Sequence, residues 1–164
     1  MCIRDSHQAY ITALNGLVEK NPDLQGKSLE QIVAFSYNKP DLVPVFNNSG
    51  QHLNHSQFWL SMSPTGGGIP GKLETKLVED FGSVQAFKDA FKTAGTTQFG
   101  SGWAWLVLAP DGKLKVTKSP NASTPAVTGE GKVLLLSLIH ISCSPPPRPN
   151  LKTPPPPRHS TPTT

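Results

Sequence analysis

Cysteine is nearly absent from these 164 residues. The only two, Cys2 and Cys143, stand near the ends, so the long stretch between them gives no sign of a disulfide framework. Long apolar runs are absent too. The longest, residues 133–141 with Ser137 and His140 inside it, is too short to span a bilayer, and residues 1–6 lack the apolar core of a secretory signal. A soluble protein is expected, in the cytoplasm or an organelle matrix and not secreted. Acidic residues are missing from residues 143–164, which hold nine of the 17 prolines and three basic residues, Arg148, Lys152 and Arg158. Such a segment cannot bury apolar surface and is expected to be disordered. It also accounts for most of the +4 charge: with Arg4 and Asp5 cancelling, the middle carries 11 basic and 10 acidic residues. The pI of 9.2 is therefore no sign of a nucleic-acid partner. What is present, 36% hydrophobic residues, suffices for a core over most of the chain.

Both ends have a more specific reading. The transposase adaptor of shotgun sequencing libraries translates to Met-Cys-Ile-Arg-Asp-Ser, which is residues 1–6. Its reverse complement translates to Leu-Ser-Leu-Ile-His-Ile-Ser, which is residues 136–142. The two strands of one adaptor bracket the chain, so the natural sequence is expected to run from about His7 to Leu135, with the rest set aside from fold reasoning.

Within that span, Tyr10, Ile11, Leu14, Leu17 and Val18 recur at helical spacing, and Asn21-Pro22 stops the pattern. Ser28 and Gln31 have the form of a capping box ahead of Leu29, Ile32, Val33 and Phe35. A third helix is expected from about Asn48 to Met62, with Gln51, His55, Phe58 and Met62 on one face that points into a core. Beyond a glycine-rich stretch, Leu73, Leu77 and Phe81 mark a fourth helix ending at Gly82. Ser83 caps a fifth that carries Val84, Phe87, Phe91 and Ala94. The period then changes to two: residues 103–108 and 114–117 read as strands joined by a tight turn, and residues 133–135 begin a third. The expected fold is α+β: five helices, then a small antiparallel sheet whose third strand is cut short at Leu135. Residues 1–6 and 136–164 stand outside it.

Three local patterns carry less than they promise. Gly66-x-x-x-x-Gly71-Lys72 resembles a phosphate-binding loop, but Leu73 stands where Ser or Thr is needed for magnesium, and the loop follows a helix; it reads as an interdomain connection. Three Asn-x-Ser sequons, at Asn47, Asn54 and Asn121, matter only in a secreted protein, and Asn54 lies in mid-helix facing the core. His52-x-x-His55 could be a zinc pair on one helical turn, but no cysteine and no third suitably spaced histidine follows in the natural segment.

Three longer blocks, Phe46-Asn47-Asn48-Ser49-Gly50-Gln51-His52-Leu53-Asn54-His55-Ser56-Gln57-Phe58-Trp59, Phe99-Gly100-Ser101-Gly102-Trp103-Ala104-Trp105-Leu106 and His7-Gln8-Ala9-Tyr10, resemble the iron/manganese superoxide dismutases in order and spacing. The resemblance implies a helical hairpin over residues 7–66 packed on an α/β domain over 67–135, with one iron or manganese held by three His and one Asp between them. His55 matches the second His ligand. By the same resemblance, the first His precedes His7 and falls outside the fragment, and the Asp and third His follow the strand beginning at Val133, where adaptor sequence replaces them. Tyr10 matches a tyrosine at the mouth of the substrate funnel, with Ser6 standing where its partner His belongs. Trp103 matches a wall of the metal pocket. Gln51 matches the glutamine that holds metal-bound solvent in iron-type members, whereas manganese-type members have Gly there and their glutamine at the position of Ala122. Both positions favour iron, with manganese as the alternative.

These residue types suit the implied chemistry. An anionic oxygen ligand with imidazoles suits Fe and Mn. A glutamine hydrogen-bonded to coordinated solvent sets its pKa and the potential, and a tyrosine at the entrance can relay protons. The resemblance implies a superoxide dismutase parent, a homodimer with Ser101 near the contact, and a fragment inactive because three of four ligands are missing. The alternative from another class is a non-enzymatic helical module whose Pro-rich basic tail is a polyproline ligand.

Overall fold

A computed structural model describes residues 3–139. The expected α+β architecture is present: helices α1 (Ile3–Glu19), α2 (Leu29–Ser36), α3 (Val43–Leu60), α4 (Gly71–Phe81) and α5 (Val84–Thr96), strands β1 (Gly102–Leu108) and β2 (Leu114–Pro120), a single-turn helix α6 (Pro125–Thr128), and strand β3 (Lys132–Ile139). None of the described helices is long and apolar enough to cross a membrane.

In the N-terminal part, α1 and α2 both pack on α3. Leu14, Leu24, Ile32 and Val45 form its buried core, with Leu17, Val18, Leu29, Phe35 and Leu42 against them. The capping box forms as the sequence predicts: Gln31 N–H donates to Ser28 Oγ at 3.3 Å, and Ser28 N–H donates to Gln31 Oε1 at 2.8 Å. Two of the orphan donors at the start of α2 are thereby satisfied.

Helix α3 corrects the sequence reading at both ends. It starts at Val43 instead of Asn48, because a 3-10 turn over Pro40–Leu42 feeds it and Pro44 sits in its first turn, where a missing N–H costs nothing. It stops at Leu60, so Met62 lies beyond it and is half exposed, not on the buried face with His55.

The three strands lie in the order β2-β1-β3, all antiparallel. β1 is buried along six of its seven residues, as a central strand covered on both faces must be. Its side chains divide by the period of two. Leu106 faces Leu77, Phe87 and Leu114 under α4 and α5, while Trp103, Trp105 and Val107 face the other way with Leu136. Phe58 of α3 packs on this second face, which ties the helical part to the sheet. Asp80 at the end of α4 adds another tie: Leu114 N–H donates to its Oδ2 at 2.7 Å. That bond, then Lys76, holds the carboxyl below the usual carboxylate range.

Both ends extend further than expected. α1 begins at Ile3, inside the stretch assigned to the adaptor. β3 is not cut at Leu135 but runs to Ile139, pairing Leu136 with Trp105 and Leu138 with Trp103. Leu136-Ser137-Leu138 happens to alternate apolar and polar, so it continues the ladder and buries Leu136 on the tryptophan face, whatever its origin. Cys2, Cys143 and the whole Pro-rich segment expected to be disordered lie outside the described residues.

Candidate metal centre

His55 sits in mid-α3 and is only 2% exposed. Its Nδ1 lies 2.8 Å from the carbonyl of Gln51. A carbonyl can only accept, so Nδ1 carries the proton and Nε2 the lone pair, the tautomer in which a histidine serves as a ligand while its other nitrogen anchors it. Three aromatic rings enclose it. The Trp103 ring from β1 meets it edge-on at 5.0 Å and 89°, Tyr10 of α1 lies at 5.5 Å, and His7 of α1 stacks on it at 5.3 Å and 20°. The histidine thus points inward, as its spacing predicts, and occupies the cleft between the helices and the β1–β2 hairpin.

Trp103 is anchored from behind. Its Nε1–H donates at 3.0 Å to the carbonyl of Asn121, a residue in the left-handed region at φ 51. The loop that carries Asn121 is strapped to α3 from two sides. Asn54 Nδ2 donates to the Ser123 carbonyl at 3.3 Å. Gly50 lies so close that a Cβ there would meet the Ala122 oxygen at 2.4 Å. Only glycine allows that approach without a shift.

Gln51, one turn before His55, shares a pocket of about 330 Å³ with Tyr10, Asn47, Asn121 and Ala122. Its Oε1 is buried with no hydrogen-bond partner among the described residues, which is costly unless a further polar group meets it. A larger groove of about 540 Å³, between Tyr37, Val43, Phe46 and Ser123, includes neither Tyr10, Gln51 nor His55. Size therefore does not mark the pocket that holds Tyr10 and Gln51.

The structure adds histidines that the sequence reading did not single out as site residues. His7 Nε2 lies 2.8 Å from His52 Nδ1, and Trp59 Nε1–H donates to His7 Nδ1 at 3.0 Å. His52 therefore faces α1 instead of forming a ligand pair with His55. Burial lowers the pKa of both His7 and His52 below the ordinary imidazole value, and for His7 the neighbouring His52 and His55 lower it further. No periodicity signals the pair, since 45 residues separate its members.

Among the described residues, no group of three or more His, Cys, Asp or Glu converges where a metal could be held. The described residues fit one corner of a mononuclear site, His55 with Gln51 one turn before it, and not a complete ligand set.

Both parts of the chain have counterparts among known proteins. Residues 4–63 match the alpha-hairpin domain of the iron/manganese superoxide dismutases, and residues 69–140 match the C-terminal domain of the same family. The chain belongs to the iron/manganese superoxide dismutase family. It is 47% identical over 133 residues to a superoxide dismutase [Fe] of Leptolyngbya boryana, covering 80% of this chain and 66% of that protein. It is 46% identical to superoxide dismutase [Fe] 1, chloroplastic, of Arabidopsis thaliana over 80% of this chain and 62% of that one. A superoxide dismutase [Mn/Fe] of Rickettsia bellii is 44% identical over 124 residues, 75% of this chain and 58% of its own length. The chain thus spans about two thirds of the length of the curated relatives it matches.

Proposed function

We propose that the parent of this chain is an iron superoxide dismutase, with manganese as the alternative metal, and that His55 is one of its ligands. The observation that carries this is the His55 ring: buried, tied through Nδ1 to the Gln51 carbonyl, and walled by Tyr10 and Trp103. Relatives named superoxide dismutase [Fe] support the choice of iron, as do Gln51 and Ala122 at the positions where iron-type and manganese-type members differ.

When bound, the metal supplies the one-electron couple by which two superoxide ions and two protons become oxygen and hydrogen peroxide. The chain's own residues do the rest. His55 holds its lone pair at Nε2. Gln51 brings its amide to the pocket it shares with Tyr10, where it can hydrogen-bond solvent and tune its acidity. The Tyr10 hydroxyl at that pocket can pass protons inward, and Trp103 keeps bulk water from the far side of the ring.

The chain as it stands is inactive on this reading, because one imidazole does not hold a catalytic iron. The remaining ligands belong to coding sequence replaced by the adaptor at residues 1–6 and from Leu136 onward. The intact parent is a homodimer with its contact near Ser101; the neighbouring Phe99, 96% exposed, supports an interface there.

The intact gene tests this. Re-reading the locus should place a His codon shortly upstream of His7 and an Asp-x-x-x-His sequence shortly after Leu135. The full-length product should bind about one iron per chain and dismutate superoxide, and His55→Ala should abolish the binding. Gln51→Ala should retain iron and turn over more slowly per metal. A locus without either ligand segment, or a His55→Ala protein that keeps its iron, would refute the proposal.

A further inference from the structure

We infer that Trp59, His7 and His52 form a hydrogen-bonded relay with one permitted proton order, and that this relay positions the ring on which His55 rests. The inference deepens the reading of His55 as a ligand and rests on it. Its starting point is that an indole N–H can only donate. Trp59 Nε1 is 3.0 Å from His7 Nδ1, so that nitrogen accepts. A neutral imidazole that accepts at Nδ1 carries its proton on Nε2. His7 Nε2 is 2.8 Å from His52 Nδ1, which therefore accepts in turn, and the His52 proton is on its own Nε2. Ser56 Oγ, 3.3 Å from the same His52 nitrogen, is placed to donate to it as well. Each link follows from the donor-only group at one end.

The sequence makes this geometry available. His52, Ser56 and Trp59 are spaced four and three apart and so share one face of α3, and His7 enters that face from α1. Both nitrogens of His7 are thereby engaged, and its ring cannot turn over without placing the Cδ2–H opposite the Trp59 N–H and losing that acceptor. That ring stacks on His55 at 5.3 Å and 20°, whereas Trp103 meets it edge-on. Trp59 and His52 are positioning residues: they touch neither substrate nor metal, and they act through His7 on the orientation of His55.

Long-range proton–nitrogen correlation spectra of the nitrogen-15-labelled full chain, at mildly alkaline pH, read the proton order directly. His7 and His52 should each be protonated on Nε2 alone. Trp59→Phe keeps an aromatic ring and removes only the donor. It should cost His7 its single-tautomer pattern and shift the His55 ring signals, while the thermal unfolding transition is retained. His52→Leu removes the acceptor at the other end and should also shift the His55 signals; it serves as the second variant should Trp59→Phe fail to fold. A parent spectrum with His7 protonated on Nδ1, or a His7 pattern unchanged by Trp59→Phe, overturns the relay. His55 signals unmoved in both variants overturn the positioning role. These outcomes are independent of iron: a parent that binds no metal would sink the functional reading and leave the proton order as measured.

Discussion

Replacing Trp103 by Phe tests whether this residue pins the sheet to the histidine helix. Trp103 is fully buried. The change removes an indole N–H that donates to the Asn121 carbonyl at 3.0 Å and an edge-on contact with His55 at 5.0 Å. The lost hydrogen bond costs about 1 kcal/mol, since Asn121 is exposed and its carbonyl regains water. The aromatic pair contributes about 1 kcal/mol beyond its area. The unfilled volume adds about 1–2 kcal/mol, less than the ~3–5 of truncating such a ring to Ala. The expected loss is roughly 3–4 kcal/mol, a large part of the ~5–15 kcal/mol that holds an ordinary domain together. Urea unfolding followed by circular dichroism measures it, with the midpoint falling and the slope unchanged. Leu60→Ala is the control: at 86% exposure it should move stability by less than about 0.5 kcal/mol. A Trp103→Phe loss below about 1 kcal/mol would refute the accounting.

Three further outcomes follow from other ties in the fold. Gly102→Ala should destabilise by about 1–3 kcal/mol in the same assay, because its Cβ would meet the Ser119 carbonyl oxygen at 2.3 Å and Gln98 Cγ at 3.0 Å; an unchanged midpoint would mean that β1 and β2 can part at no cost. Asp80 has a folded pKa below its unfolded one, through the Leu114 N–H and then Lys76, so its contribution is present above the ordinary carboxylate pKa and lost as pH falls through the depressed value. The stability gap between the parent and Asp80→Asn should accordingly be widest near neutral pH and close in acid; a gap independent of pH would contradict the ionic tie. Ser28→Ala removes one side of the capping box and should cost about 1 kcal/mol, read as a lower thermal midpoint.

Local chemistry was legible in the sequence wherever the relevant partners are near one another along the chain. The Ser28–Gln31 box, the Ser83 cap, the switch of period at β1 and the inward face of His55 depend on spacings of two to four residues, which a helix or strand converts directly into geometry. Errors came where a local rule met a longer-range one. Pro40 and Pro44 mark loop in isolation, yet a 3-10 turn lets Pro44 open α3. Residues 136–139 have a foreign origin by the adaptor reading, yet an open ladder beside β1 and the tryptophan face suffice to order them as strand.

From the sequence alone came the class of fold, the family resemblance and the inward-facing His55, because periodicity and motif spacing are properties of the chain itself. Only the tertiary structure decided what surrounds that histidine. His7 meets His52 across 45 residues and Trp59 across 52, the Asn121 carbonyl holds the Trp103 indole, and Gly50 admits the Ala122 loop. Such contacts arise from how α1, α3 and β1 cross, and crossing is set by the packing of whole faces, which no short window of sequence contains.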